Sequence, residues 1–252
     1  MTFRAMIVPS THPSGRGPRE QRPRKRIVAR VLMTFAWLAF PTFASPAPVD
    51  EGITAYEQGD YERSLRLFQA SAEQDDPIAE FYLGLMYLDG KGVVPDARAA
   101  ASWFRRAAAQ KHPAAQYNLG VAYYEGQGVT QSFTEAADWF RRSAEQRYGP
   151  AAYNLAAMYE DGLGLDRDPD QALHWYERAA KAGLAEAMHE LAAINFSGRL
   201  GPADPVRAYM WLLLAVRHGD EDAVPDRLDV KGALSPEQIR EAEELAASWK
   251  NP

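Results

Sequence analysis

The sequence predicts an all-α fold that is built as an array of one repeated helix-turn-helix unit. Three columns of residues, one of tryptophan, one of leucine and one of glycine, recur at intervals of 36 positions. Their members are Trp103, Trp139, Trp175 and Trp211; Leu83, Leu119, Leu155 and Leu191; and Gly90, Gly126, Gly162 and Gly198. Each unit of such an array buries its apolar face only against its neighbours, so the fold displays an elongated surface. The pattern therefore predicts a scaffold and leaves its partner unidentified.

Each unit contains two predicted helices, which differ in the spacing of their apolar residues. In the first helix, an alanine, a leucine and a tyrosine follow one another at intervals of four, which places them on one helical face. The second helix has apolar residues at i, i+3, i+4 and i+7. Examples of the two sets are Ala115, Leu119 and Tyr123, and Ala100, Trp103, Phe104 and Ala107. Both spacings are typical of amphipathic α-helices.

A Gly-x-Gly connection separates the two helices of a unit. Its first glycine, such as Gly126, comes directly after the first helix and is suited to the left-handed conformation that ends helices. The second helix follows a residue that favours the N-cap position. These N-cap residues are Asp96, Ser132, Asp168 and Asp204. The glycine and the cap together predict both boundaries of the connection.

The stretches Ala115 to Tyr123, Gly126 to Val129 and Ala136 to Arg142 resemble the Sel-one-like repeat, a branch of the tetratricopeptide-like helical repeats. The resemblance extends over residues 78–220 in four copies: 78–112, 113–148, 149–184 and 185–220. It implies a right-handed α-solenoid whose members mediate protein interactions. Residues 45–77 have a shorter loop and resemble an ordinary tetratricopeptide unit, so we expect them to form an N-terminal capping repeat.

The fourth copy and residues 221–252, which are expected to form a C-terminal linker and a capping helix, close the predicted array. Leu213 and Leu214 replace the polar residues of earlier copies, which indicates that a neighbouring element covers this helix. Ser235 to Gln238 forms a capping box that opens a last amphipathic helix. This C-terminal capping helix is the predicted cover, and a homodimer contact through Leu213 and Leu214 is the alternative.

Residues 1–44 differ in composition from the repeats. A basic run from Arg22 to Arg26 precedes an apolar run from Val31 to Phe40, and small residues flank a cleavage point after Ala44. This order is typical of a secretory signal peptide, here with an extended basic n-region. We therefore expect a periplasmic or secreted protein. An inner-membrane anchor is the alternative, although the apolar run is shorter than the roughly 20 residues that span a bilayer.

The charge balance argues against nucleic acid as a partner. Residues 1–44 hold eight basic residues and one acidic residue, so the remaining chain has 20 basic and 33 acidic residues and a net charge of −13. Such a surface repels nucleic acid and anionic membranes, and we expect no stable membrane insertion of the mature chain. The arginines in the last turn of the second helix, such as Arg105 and Arg106, suit the helix dipole. We therefore interpret them as structural.

No pattern in the sequence predicts catalysis, a cofactor or a metal site. None of the five histidines has a second histidine four residues away, as the helical His-Glu-x-x-His metal site requires. The Gly-x-Gly loops lie between helices and do not follow a strand, so they do not match a known phosphate-binding loop. No nucleophile is paired with a base. We therefore expect a protein that is not an enzyme and that needs no cofactor.

The best candidate for a binding surface is the face of the first helices that is expected to be concave. We call it the ladder, and its residues recur from one repeat to the next. Its members are Tyr82, Leu85, Asp89, Asn118, Val121, Glu125, Asn154, Asp161 and Glu190. Asparagine side chains beside exposed aliphatic residues are suited to an extended peptide, and the carboxylates favour a basic segment. The same residues also fit the consensus of the repeat, which is the structural alternative.

The sequence leaves two functions open. The first is an exported adaptor that binds a protein or peptide through the ladder and acts in envelope assembly, secretion or signalling. The second is an envelope factor that binds or hydrolyses peptidoglycan or polysaccharide. In that alternative, exposed aromatic side chains such as those of Tyr82 and Tyr124 would stack on the sugar.

Overall fold

The structure, a computed structural model, describes residues 48–249, and all regular elements in this range are α-helices. The predicted signal segment, residues 1–44, lies outside the described residues. The helices are α1 (Pro48–Glu57), α2 (Tyr61–Ala72), α3 (Pro77–Asp89), α4 (Ala97–Ala109), α5 (Pro113–Glu125), α6 (Phe133–Glu145), α7 (Gly149–Asp161), α8 (Pro169–Lys181), α9 (Ala185–Ser197), α10 (Pro205–Arg217), α11 (Ala223–Gly232) and α12 (Pro236–Ser248).

The helices fall into two compact units, each of which contains more than one repeat. The described parts of these units are residues 48–139 and 140–249. In the first unit, α1 packs on α2 and α3 packs on α4, and the pairs are joined through contacts of α2 with α3 and of α4 with α5. In the second unit, α7 packs on α8 and α9 packs on α10, and α8 contacts α9. The predicted all-α fold of helix-turn-helix repeats is confirmed.

The predicted helix boundaries are also confirmed. Gly90, which follows α3, has φ 70°, a left-handed conformation that glycine adopts without strain. The Asp96 carboxylate accepts hydrogen bonds from the backbone N–H groups of Arg98 and Ala99 and so caps α4. Ser132 accepts a hydrogen bond from the N–H of Glu135 in the same way. Each cap satisfies donors that would otherwise lack a partner in the first helical turn.

The second glycine of the connection serves close packing, a reason that the sequence analysis did not identify. Gly128 has φ 73°, and a Cβ atom there would lie 2.0 Å from the carbonyl oxygen of Ala97 at the start of α4. A Cβ on Gly92 would lie 2.9 Å from the carbonyl oxygen of Tyr61 at the start of α2. In the first unit, each loop therefore rests on the beginning of the second helix of the preceding repeat.

Aromatic side chains form much of the core in the first unit. Phe68 and Phe104 are almost completely buried, and Tyr82 stacks on Phe68 with their ring centroids 4.8 Å apart. In the tryptophan column, Trp103 is only half-buried, whereas Trp175 and Trp211 of the second unit are buried. The columns that mark the repeat in the sequence thus include both fully and partly buried side chains.

The C-terminal helix covers the last repeat, as predicted. α12 packs on α10, and the indole rings of Trp211 and Trp249 meet edge to face with centroids 4.8 Å apart. The capping box of Ser235 and Gln238 is present at the start of α12. Leu214 is only 3% exposed and Leu213 is half-buried. The alternative of a homodimer contact is therefore wrong for Leu214, because its side chain is buried within the chain.

Candidate interaction surface

The apolar part of the ladder in the first unit is buried, which corrects the expectation of exposed aliphatic residues. Leu85 is 3% exposed and Val121 is 8% exposed. α3 contacts α1, α2 and α4, and every residue of α5 from Ala115 to Ala122 is buried. The first helix of a repeat is thus enclosed by its neighbours, so its aliphatic side chains do not form an open apolar groove.

Two polar members of the ladder in the first unit are also committed to internal contacts. The Tyr82 ring packs against Phe68 and Tyr56, and burial raises the pKa of its hydroxyl. It is therefore not the exposed stacking ring that the glycan alternative requires. Asn118 is 8% exposed, and its amide donates a 2.8 Å hydrogen bond to the carbonyl oxygen of Ala114, one helical turn earlier. This contact satisfies one of the two N–H donors of the amide.

The carboxylates of the first unit lie at the ends of helices. Asp89 is the last residue of α3, and its exposed side chain forms an ion pair with Lys91 at 3.3 Å. Glu125 is the last residue of α5. Its Oε2 atom is shielded from solvent and has no hydrogen-bond partner among the described residues. The acidic members of the ladder in the first unit therefore lie at helix ends, and Asp89 already has a cationic partner in Lys91.

The second unit contributes three further members of the ladder. Asn154 is 4% exposed, and its Nδ2 atom has no hydrogen-bond partner in the described part of the chain. Asp161 is the last residue of α7 and is half-buried. Glu190 forms an ion pair with Arg199 in the loop after α9, so this carboxylate is neutralised within the chain.

Arg199 organises a buried network that the sequence analysis did not predict. Its Nε atom donates a 2.7 Å hydrogen bond to Glu160, which is 7% exposed, and its guanidinium also contacts Glu190. The hydroxyl of Tyr176 donates to Glu160 at 3.1 Å. Burial, followed by the nearby carboxylates, raises the pKa of Tyr176 well above its ordinary value. The one sign of this network in the sequence is Arg199 itself, a charged residue directly after the loop glycine Gly198.

His189 forms a second charged cluster in the second unit. Its Nδ1 atom lies 2.8 Å from Asp220, and its Nε2 atom lies 2.9 Å from Asp226 of α11. Hydrogen bonding to Asp220 is the largest of the effects that raise the pKa of His189 to about 9. Both ring nitrogens thus face carboxylates, which favours the imidazolium form. The cluster ties α9 to α11.

Two other kinds of site are missing from the same range. Among residues 48–249, no cluster of three or more His, Asp or Glu side chains has an arrangement that could hold a metal ion. Within that range, none of the helices combines the length and the apolar character that a membrane span requires.

Comparisons with known proteins agree with this repeat architecture. The Sel1 repeat family model matches residues 77–112, 113–148, 149–184 and 185–220, which together make up more than half of the chain. A tetratricopeptide repeat model matches residues 49–93. Among curated proteins, none matches the chain.

Two solved structures are similar to the chain. The chain is similar to a Sel1 repeat protein from Oxalobacter formigenes, with 28% identity over 78% of this chain and 84% of that chain and a TM-score of 0.69. A protective antigen present in uropathogenic Escherichia coli strains, which displays an SLR fold, is 25% identical over 79% of this chain and 51% of its own, with a TM-score of 0.49.

These findings set the general class of the molecule. Repeat proteins of the Sel1 and tetratricopeptide kinds are scaffolds that bind protein partners, and their folds are typically non-catalytic. The four matched repeats, the helix pairs and the glycine connections are the defining features of one such family. The chain belongs to the Sel1 repeat family.

Proposed function

We propose that this scaffold is an exported adaptor that binds a basic segment of a partner protein through the acidic ends of its first helices. The proposed setting is the bacterial envelope, where the adaptor would act in assembly, secretion or signalling. The observation that carries the proposal is the position of Asp89 and Glu125 in the first unit, each of which is the last residue of its helix.

An acidic residue at the end of a helix is unfavourable for the helix itself. The carbonyl end of the helix dipole is negative, so a carboxylate there costs about 0.3–1 kcal/mol. In the first unit, Asp89 and Glu125 occupy the same position one repeat apart, although neither stabilises its helix through the dipole. A cationic ligand would gain from both the carboxylates and the helix ends. This supports binding of a cation as the role of these residues.

The shielded oxygen of Glu125 strengthens this argument. A carboxylate oxygen that is removed from water and accepts no hydrogen bond loses solvation without compensation. Glu125 Oε2 has no such partner within residues 48–249. A lysine or arginine side chain that approaches the accessible part of this half-buried residue would offset the lost solvation through its charge. The chain that remains without residues 1–44 has a net charge of −13, which attracts a basic segment over a longer range.

Binding should first be tested with a defined probe. A fluorescein-labelled peptide of five Lys-Ser repeats is titrated against residues 45–252, and binding is followed by fluorescence anisotropy at two salt concentrations. We expect salt-sensitive binding that the double variant Asp89→Asn, Glu125→Gln weakens by roughly tenfold or more.

A matched control separates local contacts from total charge. The double variant Glu62→Gln, Glu135→Gln removes two exposed charges from the second helices of the same unit. This control should bind nearly as well as the parent protein. Equal weakening in both variants, or no binding by the parent, would overturn the proposal that the helix ends form the site.

Export is a separate part of the proposal. It is supported by the basic run from Arg22 to Arg26, the apolar run from Val31 to Phe40 and the small residues before the cleavage point at Ala44. The test is to express the full chain in a Gram-negative host, to separate the periplasmic fraction and to sequence the N-terminus of the product. A periplasmic chain that begins at Ser45 supports export. A cytoplasmic chain that retains Arg22 contradicts it.

The alternative of a factor acting on glycans loses its main support. Tyr82 is packed against Phe68 and Tyr56, and the Tyr124 ring packs against Phe133 with centroids 5.0 Å apart. Neither tyrosine is thus displayed as an open platform for a sugar ring. The adaptor remains the function that the geometry of the helix ends favours.

A further inference from the structure

The ammonium group of Lys91 lies in a small aromatic and acidic enclosure in the first unit. Its Nζ atom is 3.1 Å from the hydroxyl oxygen of Tyr56 and 3.3 Å from Oδ2 of Asp89. The same atom lies over the rings of Tyr56 and Tyr61, at 4.9 and 5.6 Å from their centroids. We call the three surrounding residues, Tyr56, Tyr61 and Asp89, the cage. A carboxylate, a phenol oxygen and two ring faces are the groups that bind an ammonium ion.

The walls of the cage are held by the protein core and do not depend on Lys91. The Tyr56 ring is 1% exposed and meets the rings of Tyr61 and Tyr82 edge to face, with centroids 5.5 and 5.3 Å apart. It also packs against Phe68. Asp89 is fixed as the last residue of α3. The cage would therefore keep its shape if the lysine side chain moved away.

The repeat fold does not require a lysine at position 91. The same loop position is Gln127 in the second copy and Leu163 in the third. The path of the loop is set by the glycines on either side, Gly90 and Gly92, which have φ values of 70° and 72°. The side chain of Lys91 therefore has a role other than forming the turn.

Lys91 is bound as a cation, and its site opens to solvent. Burial opposes the charge, but the hydrogen bond to Tyr56 and the charge of Asp89 outweigh that effect, so the pKa of Lys91 is raised. The side chains of Lys91 and Asp89 are 21% and 37% exposed. A ligand that replaces Lys91 can thus enter from the solvent side of the loop.

We propose that the cage is a binding site for a primary alkylammonium group, the terminal group of a lysine side chain. In the free protein, Lys91 fills the cage, and a lysine of the partner replaces it on binding. The site itself is independent of the proposed adaptor function, whereas the identity of the exchanging ligand rests on it. Lys91 acts as an internal competitor that lowers the affinity of the adaptor for basic segments.

The geometry favours a primary ammonium group over a quaternary one. Two of the three N–H donors of Lys91 have oxygen partners in the cage, on Tyr56 and Asp89. A tetramethylammonium ion retains the attraction to the rings but has no N–H to donate. It should therefore bind more weakly than n-butylammonium, which has the same four-carbon chain as lysine.

The test uses variants that empty the cage without changing its walls. In residues 45–252, Lys91→Ala and Lys91→Gln are compared with the parent, and n-butylammonium and tetramethylammonium are titrated by calorimetry. The glutamine is the residue of the next repeat, so this variant should fold. We expect both variants to bind n-butylammonium roughly tenfold more tightly than the parent does. Each variant should bind tetramethylammonium more weakly than it binds n-butylammonium.

Two controls define the site. Adding Asp89→Asn to Lys91→Gln should abolish the gain in affinity, because it removes the carboxylate of the cage. Lys111→Ala removes an exposed lysine of the same unit and should bind n-butylammonium like the parent. If neither Lys91 variant binds n-butylammonium better than the parent, Lys91 only fastens the loop, and the proposal is overturned.

A second titration distinguishes the cage from the adaptor function. The labelled Lys-Ser peptide should bind the Lys91→Gln variant at least about threefold more tightly than the parent. If n-butylammonium binds the variant but the peptide binds neither protein, the cage stands and the adaptor function fails. If the peptide binds both proteins equally, the exchange of Lys91 for a partner lysine is overturned.

Discussion

Arg106 of α4 donates a 3.0 Å hydrogen bond to the carbonyl oxygen of Ala72, the last residue of α2. Its guanidinium also lies over the ring of Trp103, 4.7 Å from the centroid. A single side chain thus joins the second helix of one repeat to the end of the preceding second helix. The carbonyl at this helix end also accepts a 3.2 Å hydrogen bond from the backbone N–H of Asp75, so the arginine supplies a second donor to it.

The second unit contains the same arrangement 72 positions later. Arg178 of α8 donates to the carbonyl oxygen of Ala144 at 3.4 Å and lies over the ring of Trp175, 4.6 Å from its centroid. The arginine column is therefore part of the packing between repeats. This agrees with the structural interpretation of these arginines and explains why an arginine follows the tryptophan at a spacing of three.

We predict that Arg106→Met destabilises the protein by about 2–3 kcal/mol. The variant loses the bond to Ala72 and removes the cation 2.8 Å from Glu80, whose side chain is only 1% exposed. That contact is an ion pair without hydrogen-bond geometry. Urea unfolding of residues 45–252 measures the change. Arg66→Met, at an exposed position of α2, should cost less than about 0.5 kcal/mol. Equal losses of stability in the two variants would contradict the role of Arg106 in packing between repeats.

We predict that Gly128→Ala is far more destabilising than Gly59→Ala. Both glycines have positive φ, 73° and 81°, so both substitutions incur the strain of a left-handed alanine, about 1–2 kcal/mol. A Cβ on Gly59 meets nothing within 4 Å, whereas one on Gly128 lies 2.0 Å from the oxygen of Ala97. Gly128→Ala should therefore cost at least about 2 kcal/mol more. Similar thermal midpoints for the two variants would disprove the close approach.

We predict that His189 stabilises the second unit in a pH-dependent way. Its folded pKa, about 9, is above its ordinary value of 6.5, so the contribution is complete below pH 6.5 and is lost as the pH rises through 9. The parent should exceed His189→Gln by up to about 3 kcal/mol at pH 6 and by little at pH 10. Urea unfolding at several pH values gives this difference, and NMR titration of the imidazole gives the pKa. A difference that does not change with pH would refute the prediction.

We predict that Arg199→Met destabilises the protein mainly because it leaves carboxylates unpaired. Glu160 is 7% exposed and receives a hydrogen bond from Arg199. Removing one partner of a largely buried pair costs about 2–4 kcal/mol after allowance for partial exposure. Adding Glu160→Gln to Arg199→Met should restore part of the loss, because the amide carries no charge. Denaturant unfolding of the single and double variants tests this, and strictly additive losses would show that the two residues are not coupled.

The sequence was sufficient to determine the helix pairs of the four repeats and the C-terminal helix, but it did not predict α11, which lies where a linker was expected. The 36-residue recurrence of Trp103, Leu83 and Gly90 marks the repeats. The N-cap at Asp96 and the capping box at Ser235 depend on contacts within a few residues, and the structure agrees with each. Local hydrogen bonding and hydrophobic periodicity are properties of short segments. For that reason they can be predicted without knowing how the helices pack.

Only the tertiary structure decided which side chains remain accessible. Leu85, Val121 and Asn118 occupy ladder positions that appear exposed on an isolated helix, but neighbouring helices bury them. The ion pair between Arg199 and Glu160 and the enclosure of Lys91 by Tyr56 also join residues that lie 35 or more positions apart. Burial and ion pairing are set by all elements around a side chain, so the periodicity of one helix does not determine them.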